Sequence, residues 1–84
     1  MLFEIVLARG VDPASLLSED VVRDTGVKLM TFEQARAAGF AGLPEPAADR
    51  TIRYLSASGR DAKFLHHVLE NNVNVASMRV YEVE

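Results

Sequence analysis

The sequence contains no cysteine, and this absence excludes several kinds of chemistry at once. Without cysteine the chain cannot form disulfides, bind zinc through thiolates or use a cysteine nucleophile. No apolar run approaches the roughly 18 residues of a membrane-spanning helix. Residues 1–9 include Glu4 and no basic start, so we expect no signal peptide. We expect a cytoplasmic chain that has no membrane partner and carries no cofactor.

Positive charge is also scarce in this sequence. Lysine and arginine number 9 against 12 aspartates and glutamates, which gives a formal net charge of -3. Nucleic-acid-binding domains normally carry a basic patch, so we do not expect nucleic acid as a partner. Apolar residues, by contrast, form 49% of the 84 residues, which is enough for a packed core and argues against disorder. We expect one domain spanning residues 1–84.

Three segments rich in β-branched and aromatic residues predict strands. They are Leu2–Ala8, Thr51–Ala57 and Ser77–Val83. The run 27–30 fits either a turn or a short edge strand, and we favour the strand. The two prolines of Gly42–Asp49 and the lack of periodicity there predict a surface loop.

Three further segments predict helices. The clearest is Asp61–Asn71, whose apolar residues at helical spacing are Phe64, Leu65, Val68 and Leu69. Phe32–Ala38 follows a capping box made by Thr31 and Gln34. A third helix begins at Pro13 behind the N-cap Asp12 and ends before Gly26.

This element order predicts an α+β, ferredoxin-like two-layer sandwich, β-α-β-β-α-β, with an extra helix and a proline loop between its halves. The two strand-to-helix corners resemble each other, since the segment 8–12 (ARGVD) recurs as 57–61 (ASGRD). A true internal repeat and shared turn chemistry both explain this similarity.

The element order over most of the chain also resembles that of ACT-type regulatory domains. In motif the resemblance consists of Gly10, Asp12 and Pro13, and the helix after Thr31 is not part of that pattern. The resemblance implies the ferredoxin-like fold and a small ligand bound near the first strand-to-helix turn, Gly10–Pro13.

Alternation in the strands predicts one strongly apolar face of the sheet and one mixed face. Phe3, Ile5 and Leu7 should lie under the helices, and we place Ile52 and Tyr54 with them. The opposite face would be bare and would form the interface of a homodimer. Its predicted residues, with Glu4 and Arg53 pairing across strands, are Leu2, Glu4, Val6, Arg53 and Leu55. In two alternatives, the helix Phe32–Ala38 covers this face, or chains pair edge to edge through Ser77–Val83.

The turns that follow the first two predicted strands are the candidate ligand-binding sites. Their candidate residues are Gly10, Asp12, Ser58, Gly59 and Arg60. A glycine turn before a helix directs N–H groups at an anion, and Arg60 could add a charged contact. Asp61 would compete for those N–H groups, so a purely structural turn is favoured.

The two histidines do not predict a metal site. His66 and His67 are adjacent and point about 100° apart on a helix, so they cannot chelate one ion together. His66 and Glu70 have the i, i+4 spacing of helical ligands, but two ligands are too few. We predict no catalytic residue and no metal site.

The function predicted from the sequence is that of a small non-catalytic module. It would self-associate through its sheet and bind a small ligand or a protein partner. One alternative is a small dimeric ferredoxin-like enzyme with a pocket between sheet and helices, for which the polar candidates are Tyr54, His66, His67 and Arg53. Another is an adaptor or immunity-type protein that binds one partner through the acidic helix near Glu19 and Asp20.

Overall fold

A three-stranded antiparallel sheet organises the chain, and the computed structural model describes residues 1–40, 42–46 and 49–81. The strands are β1 (Leu2–Leu7), β2 (Ile52–Ser56) and β3 (Val75–Tyr81), in the order β2-β1-β3. The three predicted strands are therefore confirmed. β3 begins two residues earlier than predicted, and the part of that prediction beyond residue 81 lies outside the described residues.

Three α-helices accompany the sheet: α1 (Glu19–Thr25), α2 (Phe32–Ala37) and α3 (Gly59–Glu70). The single helix predicted from Pro13 is wrong, because Pro13–Ser15 form only a short 3-10 turn before α1 begins. Ser18 interrupts the helical path, and its hydroxyl caps α1 by accepting from the Val21 N–H at 3.2 Å. No helix among the described residues has the length and apolar character needed to cross a membrane.

The helix ends follow the capping residues of the sequence. The predicted capping box is present, with the Gln34 N–H donating to the Thr31 hydroxyl at 3.2 Å and the Thr31 N–H donating to the Gln34 side chain at 2.9 Å. Asn71 ends α3, as predicted. Asp61 lies in the first turn of α3, and Ser58 is its N-cap residue.

The run 27–30 does not form the predicted edge strand. Only Met30 pairs with the sheet, through two backbone hydrogen bonds of 2.7 and 2.8 Å with Tyr54 on the outer side of β2. The chain enters α2 directly after Thr31, so the pairing does not continue past Met30 toward the C-terminus. The location of this segment beside β2 is still that of an edge strand.

The larger core lies between the sheet and α3. As predicted, Phe3, Ile5 and Leu7 of β1 pack in it, and they are at most 1% exposed. Leu16, Leu65 and Leu69 join them, whereas Val68 is only half-buried and Ile52 packs on the opposite face. Phe64, predicted on the buried face of α3, is 47% exposed.

The predicted phase of β2 is wrong. Phe3 pairs with Leu55 and Ile5 with Arg53, and residues directly opposite in a sheet share a face. Leu55 and Arg53 therefore lie on the α3 side, and the predicted pairing of Glu4 with Arg53 does not form. Glu4 is opposite Tyr54 instead. Apolar residues occupy both sides of β2, so the alternation of its side chains does not define its phase.

The second face of the sheet is covered by α2 over β1 and β2, so helices lie on both sides of the sheet. Leu2, Ala35 and Tyr54 form a small core there and are completely buried. The helix cover considered as an alternative is thus present. Leu2 and Leu55, predicted as interface residues, are buried within one chain and are not exposed on a bare face.

The predicted loop Gly42–Asp49 falls partly outside the described residues, namely at 47 and 48. Of its described part, Gly42, Pro44, Glu45 and Asp49 are exposed and have no helix or strand assignment. This is what two prolines in a short aperiodic segment lead one to expect.

Candidate functional site

The five predicted ligand-binding residues do not come together. β1 and β2 are antiparallel, with Leu2 opposite Ser56 and Val6 opposite Ile52. Gly10 follows the end of β1, whereas Ser58, Gly59 and Arg60 follow the end of β2. The two glycine turns therefore lie at opposite ends of the sheet.

Two of these residues have evident roles in the fold. The Asp12 carboxylate accepts from the Ala14 N–H at 3.0 Å and caps the short 3-10 turn. Gly59 has a φ of 59°, a left-handed conformation that side chains rarely adopt, at the first residue of α3. Ser58 makes no side-chain cap bond, and Arg60 is exposed.

The Gly10 end of the sheet contains a cleft. The Val11 N–H donates to the Ala8 carbonyl at 3.3 Å, and Gly10 has a φ of 81°, as the third residue of a type II turn requires. A cleft of about 450 Å³ opens between this turn and the residues that lead into β2. It is lined by Leu7, Ala8, Arg9, Gly10, Asp49, Arg50 and Thr51. We call it the arginine cleft.

Two arginines and one carboxylate set the charge of the arginine cleft. Arg9, Arg50 and Asp49 are all exposed at its rim. The salt bridges of the described residues lie elsewhere, between Arg23 and Asp20 and between His66 and Glu70. Among the described residues of the lining, Asp49 is the only acidic one, so both arginines are available to an anion.

A polar pair is buried on the face of the sheet that α2 covers. The Tyr54 hydroxyl donates to Oε2 of Glu4 at 3.1 Å, and Glu4 is only 8% exposed. Burial, followed by the negative charge of Glu4 and the hydrogen bond to it, raises the pKa of Tyr54 to about 12. At neutral pH the hydroxyl is therefore a fixed donor to the carboxylate, which marks the pair as structural.

The outer edge of β3 and the neighbouring side of α3 form a third candidate surface, which we call the β3 edge. β3 pairs only with β1 among the described strands, and most of its side chains are exposed. His66 of α3 lies against it, since a cleft of about 310 Å³ is lined by Met1, Lys63, His66 and Val80. A second cleft joins His66 and Glu70 to the residues 75–78.

The polar candidates for an enzyme are spread over separate surfaces. Tyr54 lies under α2, whereas Arg53 lies on the α3 face and donates to the Ile52 carbonyl at 2.9 Å. His66 and His67 are exposed on α3. The described residues contain no group of three side chains that could hold a metal ion.

The sequence interpretation missed Arg9 and Arg50 as candidate site residues, and it gave the α2 cover only as an alternative. Arg9 immediately precedes the turn glycine, and Arg50 precedes a strand that pairs antiparallel with β1. The pairing of these two strands was the signal that could have brought both arginines to one end of the sheet.

Comparison with known proteins assigns no family to this chain. No protein-family model matches it, and neither the curated proteins nor the solved structures show significant similarity.

Proposed function

We propose that the chain is a small, cytoplasmic, non-catalytic module that self-associates as a two-fold dimer through the β3 edge. The observation that carries this proposal is the placement of β3, a seven-residue strand at the edge of the sheet with most of its side chains exposed. An edge strand presents unpaired backbone groups to which another strand can bind. The region between the sheet and α3 is a continuous cluster of buried apolar side chains, and this supports a non-catalytic role.

We also propose that the fold is a ferredoxin-like arrangement in which the second strand is reduced to a single residue pair. Met30, β2, β1 and β3 lie side by side in that order, and each pairs antiparallel with its neighbour. Replacing the single bridge at Met30 by a full strand would give the β-α-β-β-α-β sheet. Of the two edges of the present sheet, β3 is a strand of seven residues, whereas the edge at Met30 is a single bridge.

The side chains of β3 favour one register of self-pairing. A two-fold axis perpendicular to the sheet pairs residues that share a face, so the axis passes midway between one residue and the same residue of the partner strand. Centred on Met78, the pairing uses the regular part of the strand and places Arg79 opposite Ser77. Centred on Arg79, it places two like charges directly opposite, which is destabilising.

The bulge in β3 is compatible with the Met78 register. β3 shifts register against β1 between Val6 and Leu7, which leaves Ala76 as the extra residue. Bulges twist an edge strand and weaken pairing locally. The Met78 register has its centre in the regular part of the strand, at Ser77–Arg79, so the bulge affects only the outer pairs.

The charges on α3 complement one another in the same dimer. Lys63, His66 and Glu70 follow one another at helical spacing on the side of α3 that faces β3. The two-fold axis makes the two copies of α3 antiparallel. Lys63 of each chain then lies opposite Glu70 of the other, with the two His66 side chains near the centre.

The spacing of the two helices also fits. α3 packs on β1 and β3, since His66 lies 6.2 Å from the Phe3 ring and lines both clefts along β3. In a continuous six-stranded sheet the two α3 helices are separated by two strand spacings, or about 10 Å. That is close to the distance of roughly 8–10 Å at which helices pack.

Charge exchange between Lys63 and Glu70 tests this arrangement by sedimentation at micromolar concentration. Each of the single variants Lys63→Glu and Glu70→Lys turns two attractions into two repulsions, and we expect about tenfold weaker dimerisation. The double variant exchanges the charges and restores wild-type dimerisation. Val6→Lys, on the other face of β1, should leave the dimer intact.

Two results would contradict the proposal. The first is a wild-type chain that sediments as a 9.2 kDa monomer throughout the micromolar range. The second is a double variant that dimerises no better than either single variant. Loss of the dimer in Val6→Lys alone, with folding retained, would instead favour face-to-face association.

A further inference from the structure

The arginine cleft has the charge and shape of an anion-binding site. Its two arginines come from chain segments 41 residues apart in sequence, Arg9 after β1 and Arg50 before β2. The Leu7 N–H donates to the Thr51 carbonyl at 2.9 Å and holds the two segments together. The arginines are thus brought to one cleft by the pairing of the strands.

Within the part of the chain that the structure describes, no salt bridge neutralises the charge of the cleft. Arg9 and Arg50 form no salt bridge with any described carboxylate, and Asp49 is the only acid that lines the cleft. The whole chain carries a net charge of -3, so a locally positive cleft runs against the overall balance. This local excess is what an anionic ligand would recognise.

From these observations we propose that the arginine cleft binds the phosphate group of a small phosphorylated molecule. Two guanidinium groups match the double charge of a phosphate monoester and can each donate paired hydrogen bonds to its oxygens. A single carboxylate carries only half of that charge. The volume of about 450 Å³ lies within the range of small-molecule sites and admits more than the phosphate alone.

The turn glycine sets the backbone path at one side of the cleft. Gly10 has a φ of 81° and no atom within 4 Å of the place where a Cβ would stand. The glycine is therefore required by the backbone conformation and not by crowding. Asp49 lowers the affinity of the cleft for phosphate, because its carboxylate repels the anion.

Titration of the isotope-labelled full chain with inorganic phosphate, followed by amide chemical shifts at constant ionic strength, tests the site. Saturable shifts are expected at residues 7–10 and 49–51. Arg9→Gln and Arg50→Gln should each weaken binding about tenfold, as expected for loss of a charged hydrogen-bond donor. The matched control Arg23→Gln removes the same charge from α1 and should leave binding unchanged.

Two further titrations complete the test, one with a variant of Asp49 and one with acetate. Asp49→Asn should strengthen phosphate binding, and acetate should bind far more weakly than phosphate. The proposal is overturned if the shifts do not saturate, if Arg23→Gln weakens binding as much as Arg9→Gln does, or if acetate binds equally well. Because the cleft lies within one chain, the titration can also be carried out on the Lys63→Glu variant, and its outcome is independent of dimerisation.

Discussion

At the scale of single residues, Tyr54 and Glu4 form a buried polar pair within the fold. The carboxylate of Glu4 is nearly buried and accepts its hydrogen bond from Tyr54 at 3.1 Å. Tyr54→Phe removes this donor, and we expect a loss of about 1–3 kcal/mol in the free energy of unfolding, measured by urea denaturation. Tyr81→Phe, on the same face of the sheet, is the control and should cost less. Equal losses in the two variants would mean that the hydrogen bond contributes nothing.

The same residue predicts how stability depends on alkaline pH. The folded chain raises the pKa of Tyr54 to about 12 from the ordinary value of 10.0, so the folded state holds this proton more tightly than the unfolded state. The resulting stabilisation is fully present below pH 10 and is lost as the pH rises through 12. Denaturation at stepped pH should show a smaller decline over this window in Tyr54→Phe than in the wild type. An identical decline in both would contradict the assignment.

At the scale of elements, α3 is positioned by only part of its apolar surface. Leu65 is completely buried against β1, whereas its neighbour Phe64 is 47% exposed. We expect Leu65→Ala to cost roughly 2–5 kcal/mol, because it opens a cavity in the larger core. Phe64→Ala is the matched control and should cost less than about 1 kcal/mol in the same denaturation measurement. A larger loss in Phe64→Ala than in Leu65→Ala would show that the helix is rotated.

Elements with an unambiguous local signal could be predicted from the sequence. The capping box at Thr31 and the alternating apolar residues of β1 are such signals, and both features are present. The phase of β2 could not be predicted, since Ile52, Tyr54 and Leu55 put large apolar groups on both of its sides. The phase of β2 is set by its register against β1, and this register exists only in the folded sheet.

The two corner glycines show the same limit of local signals. Gly10 and Gly59 both have a positive φ, so the shared motif corresponds to a shared backbone requirement. The following aspartates differ in role, because Asp12 caps a 3-10 turn while Asp61 lies inside the first turn of α3. The motif therefore predicts a turn but does not predict which residue caps the helix.

At the scale of the whole molecule, the site was less predictable than the fold. Gly10 could be selected from the sequence because of its turn motif, and it does line the arginine cleft. Arg50 could not be selected, since only the pairing of β1 with β2 brings it beside Arg9. The placement of α2 likewise depends on the second face of the sheet. Because α2 covers that face, we now expect association through the β3 edge.

The absence of cysteine makes the central claim, pairing through β3, open to a direct test by single-cysteine cross-linking. Opposite residues of antiparallel strands have Cα atoms roughly 4.5–5.5 Å apart, which is within the range that a disulfide spans. Met78→Cys places the new thiol opposite its own copy across the two-fold axis, and Val73→Cys places one at a site that is 92% exposed but away from the axis. Under mild oxidation at micromolar concentration, the account predicts a rapid covalent dimer for Met78→Cys and no covalent dimer for Val73→Cys. Cross-linking of Val73→Cys at an equal or higher rate, or of neither variant, would contradict it.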